Sequence, residues 1–202
     1  MNSRKGDWIQ TFSGVCFYPL DARTEEIRIG DIAHALSLQC RFAGHCRCFY
    51  SVAEHSVRVS CAVPPADALW GLLHDAAEAY LVDLPRPLKR FCEMGRLYSE
   101  IEDALMAQVA ERFGLNLPVP PSVKHFDTVL LMTEKRDLMC AEPKPWEGTA
   151  EPLPKKIKPW SSMKAERVFM ERYAEVVLMG IAGEVAIARK MGILIEYMEW
   201  PA

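Results

Sequence analysis

The chain has 202 residues, 24 basic and 27 acidic, for a formal net charge of −3. That length suits one buried core and is short for two large domains, and a protein that grips long nucleic acid would be basic overall. No run nears the ~18 apolar residues of a membrane span, and the start, MNSRKGDWIQTF, has charge without the apolar stretch of a secretory leader, so a cytoplasmic location is expected.

Residues 1–30 read as an irregular or short-strand lead-in, where 11–18 mixes β-branched and aromatic residues and stops at Pro19. Gly30-Asp31 opens a short helix with Asp31 as N-cap. Residues 44–49 read as a loop carrying His45, Arg47 and two of the seven cysteines. An odd number of cysteines at irregular spacing, in a chain without a leader, predicts reduced thiols. Cys46-Arg47-Cys48 is too tight for a zinc knuckle. Helices are expected over 52–63, ended by Pro64-Pro65, and over 66–81, ended before Asp83-Leu84-Pro85. Another is expected over 97–113, where Ile101, Leu105, Val109 and Phe113 recur at every fourth position, with Gly114 as C-cap. Ser122 is the candidate N-cap of a helix over 122–140. A proline-rich loop over 143–160 follows, and helices over 162–179 and 182–191 close the chain. The fold class expected is all-α: a single domain, 1–202, built as a helical bundle with a short irregular or β lead-in.

Three places on these helices carry ionisable groups where apolar ones are expected. His55, in S-V-A-E-H-S-V-R-V, shares a helical face with Val52 and Val59; a core histidine bonded to a carbonyl is the plain alternative. His74-Asp75 follows the apolar run A-L-W-G-L-L, so both face the interior, where an unpaired carboxylate is costly. Asp127 has Val123, Leu130 and Leu131 as helical neighbours, and a carboxylate on such a stripe needs a cation; a local pair with Lys124 is its alternative. One metal ion shared by His55, His74, Asp75 and Asp127 answers all three. Two imidazoles with two carboxylates suit a divalent transition metal (Co, Mn, Zn, Fe or Ni) rather than calcium or magnesium. Glu78, four residues after His74 and three after Asp75, is expected on the same helical face, placed to orient or deprotonate water.

The order H…HD…D resembles the HD-domain superfamily of metal-dependent phosphohydrolases. The segments S-V-A-E-H-S-V-R-V (51–59) and L-L-H-D-A-A-E-A-Y-L-V-D-L-P-R-P-L-K (72–89) are similar to its bacterial 5′-deoxynucleotidase branch. The resemblance covers roughly residues 36–140. It implies a helical bundle, commonly a homodimer, that removes the 5′-phosphate of deoxynucleotides. His55, His74, Asp75 and Asp127 then match the metal ligands, and Glu78 the acid beside the attacking water. Asp83 matches an acid near the sugar, and Arg41 a phosphate-binding arginine. The family commonly follows that arginine with tryptophan; here it is Phe42, a departure that bears on base and sugar selectivity. Lys89 and Arg86 form a cationic rim. Phage relatives hydrolyse dATP instead, so a triphosphohydrolase is an alternative, with Arg86, Lys89, Arg90 and Arg47 as candidate polyphosphate contacts. A non-catalytic nucleotide-binding module of the same kind is the further alternative. The wording of 72–89 favours the deoxynucleoside monophosphate.

Overall fold

A computed structural model describes residues 4–146 and 150–190, mainly α-helical with a short strand lead-in. The lead-in is an antiparallel hairpin of β1 (Ile9–Gln10) and β2 (Cys16–Phe17), with Ile9 opposite Phe17. Phe17 is its buried anchor, stacked on Tyr80 at 4.0 Å. In α1 (Ile29–Leu38) the N-cap position falls to Arg28 rather than Asp31. The Asp31 carboxylate instead accepts the N–H and the hydroxyl of Ser13, at 2.7 and 2.8 Å, and ties the hairpin to the helix.

The central helix is α2 (Val52–Ala62), which begins where the Ser51 hydroxyl accepts the Glu54 N–H at 3.1 Å and ends before Pro64. Helix α1 packs on it, and so do α3 (Ala68–Leu73), α7 (Pro121–Leu138) and α8 (Ser162–Lys190). Enclosure on several sides explains why even Glu54, His55 and Ser56 are fully buried. Ser51 and Glu54 have the spacing of a capping box. Yet the Glu54 carboxylate pairs with Arg58 at 2.6 Å and accepts the Trp160 N–H at 2.7 Å, pinning the segment before α8 to α2.

The single helix expected over 66–81 is broken into α3 and α4 (Glu78–Leu81). Between them the backbone tightens into i→i−3 bonds, among them the Glu78 N–H to the Asp75 carbonyl at 3.0 Å. Such a stretch eclipses side chains three residues apart, which aligns Glu78 with Asp75. Helix α5 (Arg86–Phe91) is one the periodicity does not announce; its prolines, Pro85 and Pro87, stand at its N-terminal end, where the helix lacks partners for N–H groups anyway. Helix α6 (Glu93–Phe113) ends as expected at Gly114, whose left-handed φ of 66° lets the Leu115 N–H reach the Ala110 carbonyl at 2.8 Å. Ser122 is not the cap of α7; Pro120 holds that position and the Ser122 hydroxyl donates to Asp67. Helix α8 runs unbroken across Gly180, where two helices were expected; residue 191 of the second lies outside the described residues. All seven cysteines are free, and no helix among the described residues is long and apolar enough to cross a membrane.

Two apolar clusters flank the α2–α3 pair. One gathers Ile32, Leu36, Leu72, Leu73, Leu105 and Phe169; the other gathers Val59, Trp70, Val123, Leu130 and Val176. At about 1.5–3 kcal/mol per buried large side chain, these clusters fix how closely α2 and α3 approach. Ser60 is the point of contact: its hydroxyl donates to the Ala68 carbonyl at 2.7 Å, and Arg172 of α8 donates to its carbonyl at 2.9 Å. A Cβ on Gly71 would stand 2.9 Å from the Ser60 Cα. Because that neighbour is backbone, Gly71→Ala must push α3 off α2. We expect a loss of about 1–3 kcal/mol in denaturant unfolding; a variant as stable as wild type would show that the two helices separate freely.

Candidate metal centre

The α2–α3 contact brings His55 and His74 together. His55 is buried on α2, the apolar-stripe position expected, and its Nδ1 lies 2.6 Å from Glu134 Oε1. His74 stands just past the end of α3, its Nδ1 2.9 Å from the Gly71 carbonyl. A carbonyl only accepts, so His74 Nδ1 carries hydrogen and donates to it; the carboxylate of Glu134 likewise fixes a hydrogen on His55 Nδ1. Both imidazoles therefore turn Nε2 toward the same space, 3.3 Å apart. Asp75 Oδ2 joins them, 3.3 Å from His74 Nε2 and 3.8 Å from His55 Nε2. Donor atoms of His55, His74 and Asp75 all lie within 4.8 Å of one another, a group that could hold a metal ion.

Asp127 differs from the expectation in two respects: the compact donor group forms without it, and it is not buried. Its helical neighbours Val123 and Leu130 are buried, but its own side chain is 44 % exposed. It sits at the edge of α7's apolar stripe, at the mouth of the site, with Oδ1 3.1 Å from His55 Nε2. Burial works against its charge, but the hydrogen bond and charge of His55, then His74 and Arg41, hold it well below the usual carboxylate range.

The donor chemistry tests whether a cation fits. With a hydrogen fixed on each Nδ1, neutral imidazoles leave two Nε2 lone pairs facing two carboxylates. Acceptors alone cannot satisfy one another; they need a proton or a metal between them. Without metal the proton goes to His55: burial and Arg41 oppose it, but Glu134 and Asp127 prevail and push its pKa up to about 9. Because this folded pKa exceeds the unfolded value of about 6.5, the metal-free protein has the stabilisation in full below pH ~6.5 and loses it as pH rises toward 9. A metal must displace that Nε2 proton. Apparent metal affinity is therefore expected to rise about tenfold per pH unit until His55 is neutral and then level off. Competition against a chelator between pH 6.5 and 9 measures this, and a flat profile would show that His55 gives up no proton.

Of the other expected residues, Arg41 reaches this group directly. Arg41, with 14 % of its side chain exposed, bonds Glu134 Oε2 through Nε at 3.1 Å and turns Nη1 toward Asp75 at 3.5 Å. Glu78 is buried; burial first, then the charges of Asp75 and Asp83, raises its carboxyl well above the usual range. Gln39 holds the Glu78 carbonyl at 2.9 Å. Asp83 is half-exposed and ion-paired with Lys89 at 3.2 Å; Lys89 also pairs with Glu102 at 2.9 Å. Phe42 opens a tight turn with φ of 56°, followed by Ala43 at 49°, and the Cys46 thiol packs 3.5 Å from that of Cys40 across this turn. Val82, next to Asp83, has φ of 65°. Side chains this bulky rarely adopt positive φ, and such strain clusters where a structure positions functional groups. His45 is exposed. Arg47 caps the end of α7, donating to the Asp137 carbonyl at 2.7 Å.

The residue that the sequence reading did not single out is Glu134. It is wholly buried and joins His55 to Arg41. Its signal was spacing: seven residues after Asp127, two turns along the same face of α7.

Two relatives stand out. The chain is 40 % identical over 172 residues to the uncharacterized protein YfdR of Escherichia coli, covering 84 % of this chain and 95 % of that protein. It is 36 % identical over 147 residues to an uncharacterized protein of Rhodobacter capsulatus, covering 66 % of this chain and 74 % of that one. No protein-family model matches the sequence.

Proposed function

The chain belongs to the family of Escherichia coli YfdR, and for this member we propose a metal-dependent phosphohydrolase of the HD-domain kind that acts on deoxynucleoside 5′-monophosphates. The observation that carries the reading is the convergence of two Nδ1-anchored histidines on Asp75, with Asp127 3.1 Å from His55 and the buried acid Glu78 in the turn that follows Asp75. His55, His74, Asp75 and Asp127 would hold one divalent transition metal. Bound there, such an ion draws charge from a phosphoryl oxygen and makes water easier to deprotonate.

The chain's own groups do the rest. Arg41 keeps its guanidinium at the edge of the metal group, where it neutralises a non-bridging phosphate oxygen. Glu78 accepts the proton as water adds to phosphorus, and that proton is then available to the leaving 5′-oxygen. The P–O bond breaks, giving a deoxynucleoside and orthophosphate. Burial and the neighbouring carboxylates raise the proton affinity of Glu78, which favours its taking the proton from water.

The choice of a monophosphate over a triphosphate follows the resemblance of residues 72–89. Lys89 is neutralised by Asp83 and Glu102, and Arg47 is committed to a helix end. Arg86 and Arg90 alone of the four candidate clamp residues stay unengaged among the described residues. The test is to offer dAMP and dATP separately and identify the released anion. Orthophosphate from dAMP with dATP inert supports the proposal. Inorganic triphosphate from dATP at the higher kcat/KM makes the protein a triphosphohydrolase. Binding of either without turnover makes it a nucleotide-binding module.

A further inference from the structure

One aromatic ring beside the site has no task in that reading. Trp146 lies in the proline-rich segment, its backbone N–H donating to the Glu142 carboxylate at 3.1 Å, while Glu142 pairs with Lys135 of α7. Lys135 is the residue after Glu134, and its Nζ stands 5.5 Å from the centre of the Trp146 ring. The segment is thus fastened to the part of α7 that supports His55. The Trp146 ring lies 6.1 Å from that of Phe42, with the planes inclined at 56°. The Phe42 ring is 5.5 Å from the guanidinium carbon of Arg41, whose Nη1 faces Asp75. Both rings are only partly buried. An unbroken series of contacts therefore runs outward from the metal group: Asp75, Arg41, Phe42, Trp146.

We propose that Trp146 is a substrate-binding residue and that Trp146 and Phe42 together form the wall that receives the nucleobase. The inference rests on the phosphohydrolase reading and extends it to the far end of the substrate. Two inclined rings offer a flat ligand two π faces with no fixed hydrogen-bond pattern, which favours a base without demanding a particular one. Phe42 holds its place with a left-handed backbone, φ 56°, a conformational cost that the fold sustains. Selection then divides along the molecule, with phosphate held by Arg41 and base by the aromatic pair.

Base stacking is worth roughly 1–3 kcal/mol by alanine substitution, which is about a 5- to 150-fold change in affinity. The experiment is calorimetric titration of metal-loaded protein with the non-hydrolysable 5′-phosphonate of deoxyadenosine and, as a base-free control, deoxyribose 5-phosphonate. Trp146→Ala should weaken the first by that factor and leave the second unchanged, and Trp146→Phe should restore most of the loss. Equal weakening of both ligands would make Trp146 a structural prop and overturn the proposal, as would no weakening of either. Wild-type protein that binds neither ligand would overturn the phosphohydrolase reading, and this proposal with it.

Discussion

Glu78→Gln is expected to retain the metal and bind substrate as wild type does, while turnover falls by ~10²–10⁴-fold. The carboxyl is buried in a tightened turn that aligns it with Asp75, and its proton affinity is raised by that burial and by two neighbouring carboxylates. Glutamine fills the same space and keeps one acceptor oxygen, but cannot take a proton from water. Steady-state kinetics with parallel metal analysis separates the two effects. A variant within threefold of wild type in kcat would leave Glu78 a structural role only.

The second large effect is expected at Glu134. Its two oxygens orient His55 and hold Arg41, at 2.6 and 3.1 Å, with no solvent exposure. Partners that orient a ligand histidine are typically worth 10–100-fold in metal affinity. Removing one member of a buried ion pair costs about 3–5 kcal/mol, because the other charge stays buried without a partner. Glu134→Ala should therefore lose both metal affinity and stability, whereas Glu134→Gln, which can still accept from His55 Nδ1, should lose less of each. A folded Glu134→Ala variant with wild-type metal affinity would show that His55 is oriented without it.

The contrast between Asp127 and Glu134 shows how far the sequence could be read. Asp127 stood out because its helical neighbours are apolar, but apolar neighbours mark a stripe and not its edge, and the residue proves half-exposed. Glu134 was hidden for the opposite reason. It opens the run Glu134-Lys135-Arg136-Asp137, which reads as a solvated helix face, and only the packing of α7 against α2 makes its first member a buried one. His55 was legible from Val52 and Val59 on its helical face, and His74 from the apolar run that precedes it. Their mutual approach was not, since it depends on Gly71 lying against Ser60. The tightened turn before Glu78 was illegible because His74 to Ala77 are all residues an ordinary helix accepts; the spacing argument still put Glu78 beside Asp75, for a neighbouring geometric reason. Helix ends were read well where one residue type is demanded, as at Gly114, and poorly where Asp31 and Ser122 had better partners across the fold.

The central claim is that the His55–His74–Asp75 group holds a metal on which phosphoester hydrolysis depends. Its most direct test is to strip the protein with a chelator, restore it with graded amounts of one divalent transition metal, and follow orthophosphate released from dAMP. Stripped protein should release none, and the rate should rise in proportion to metal bound, saturating near one equivalent. Release by stripped protein at the same rate, or none at any metal loading, would contradict it.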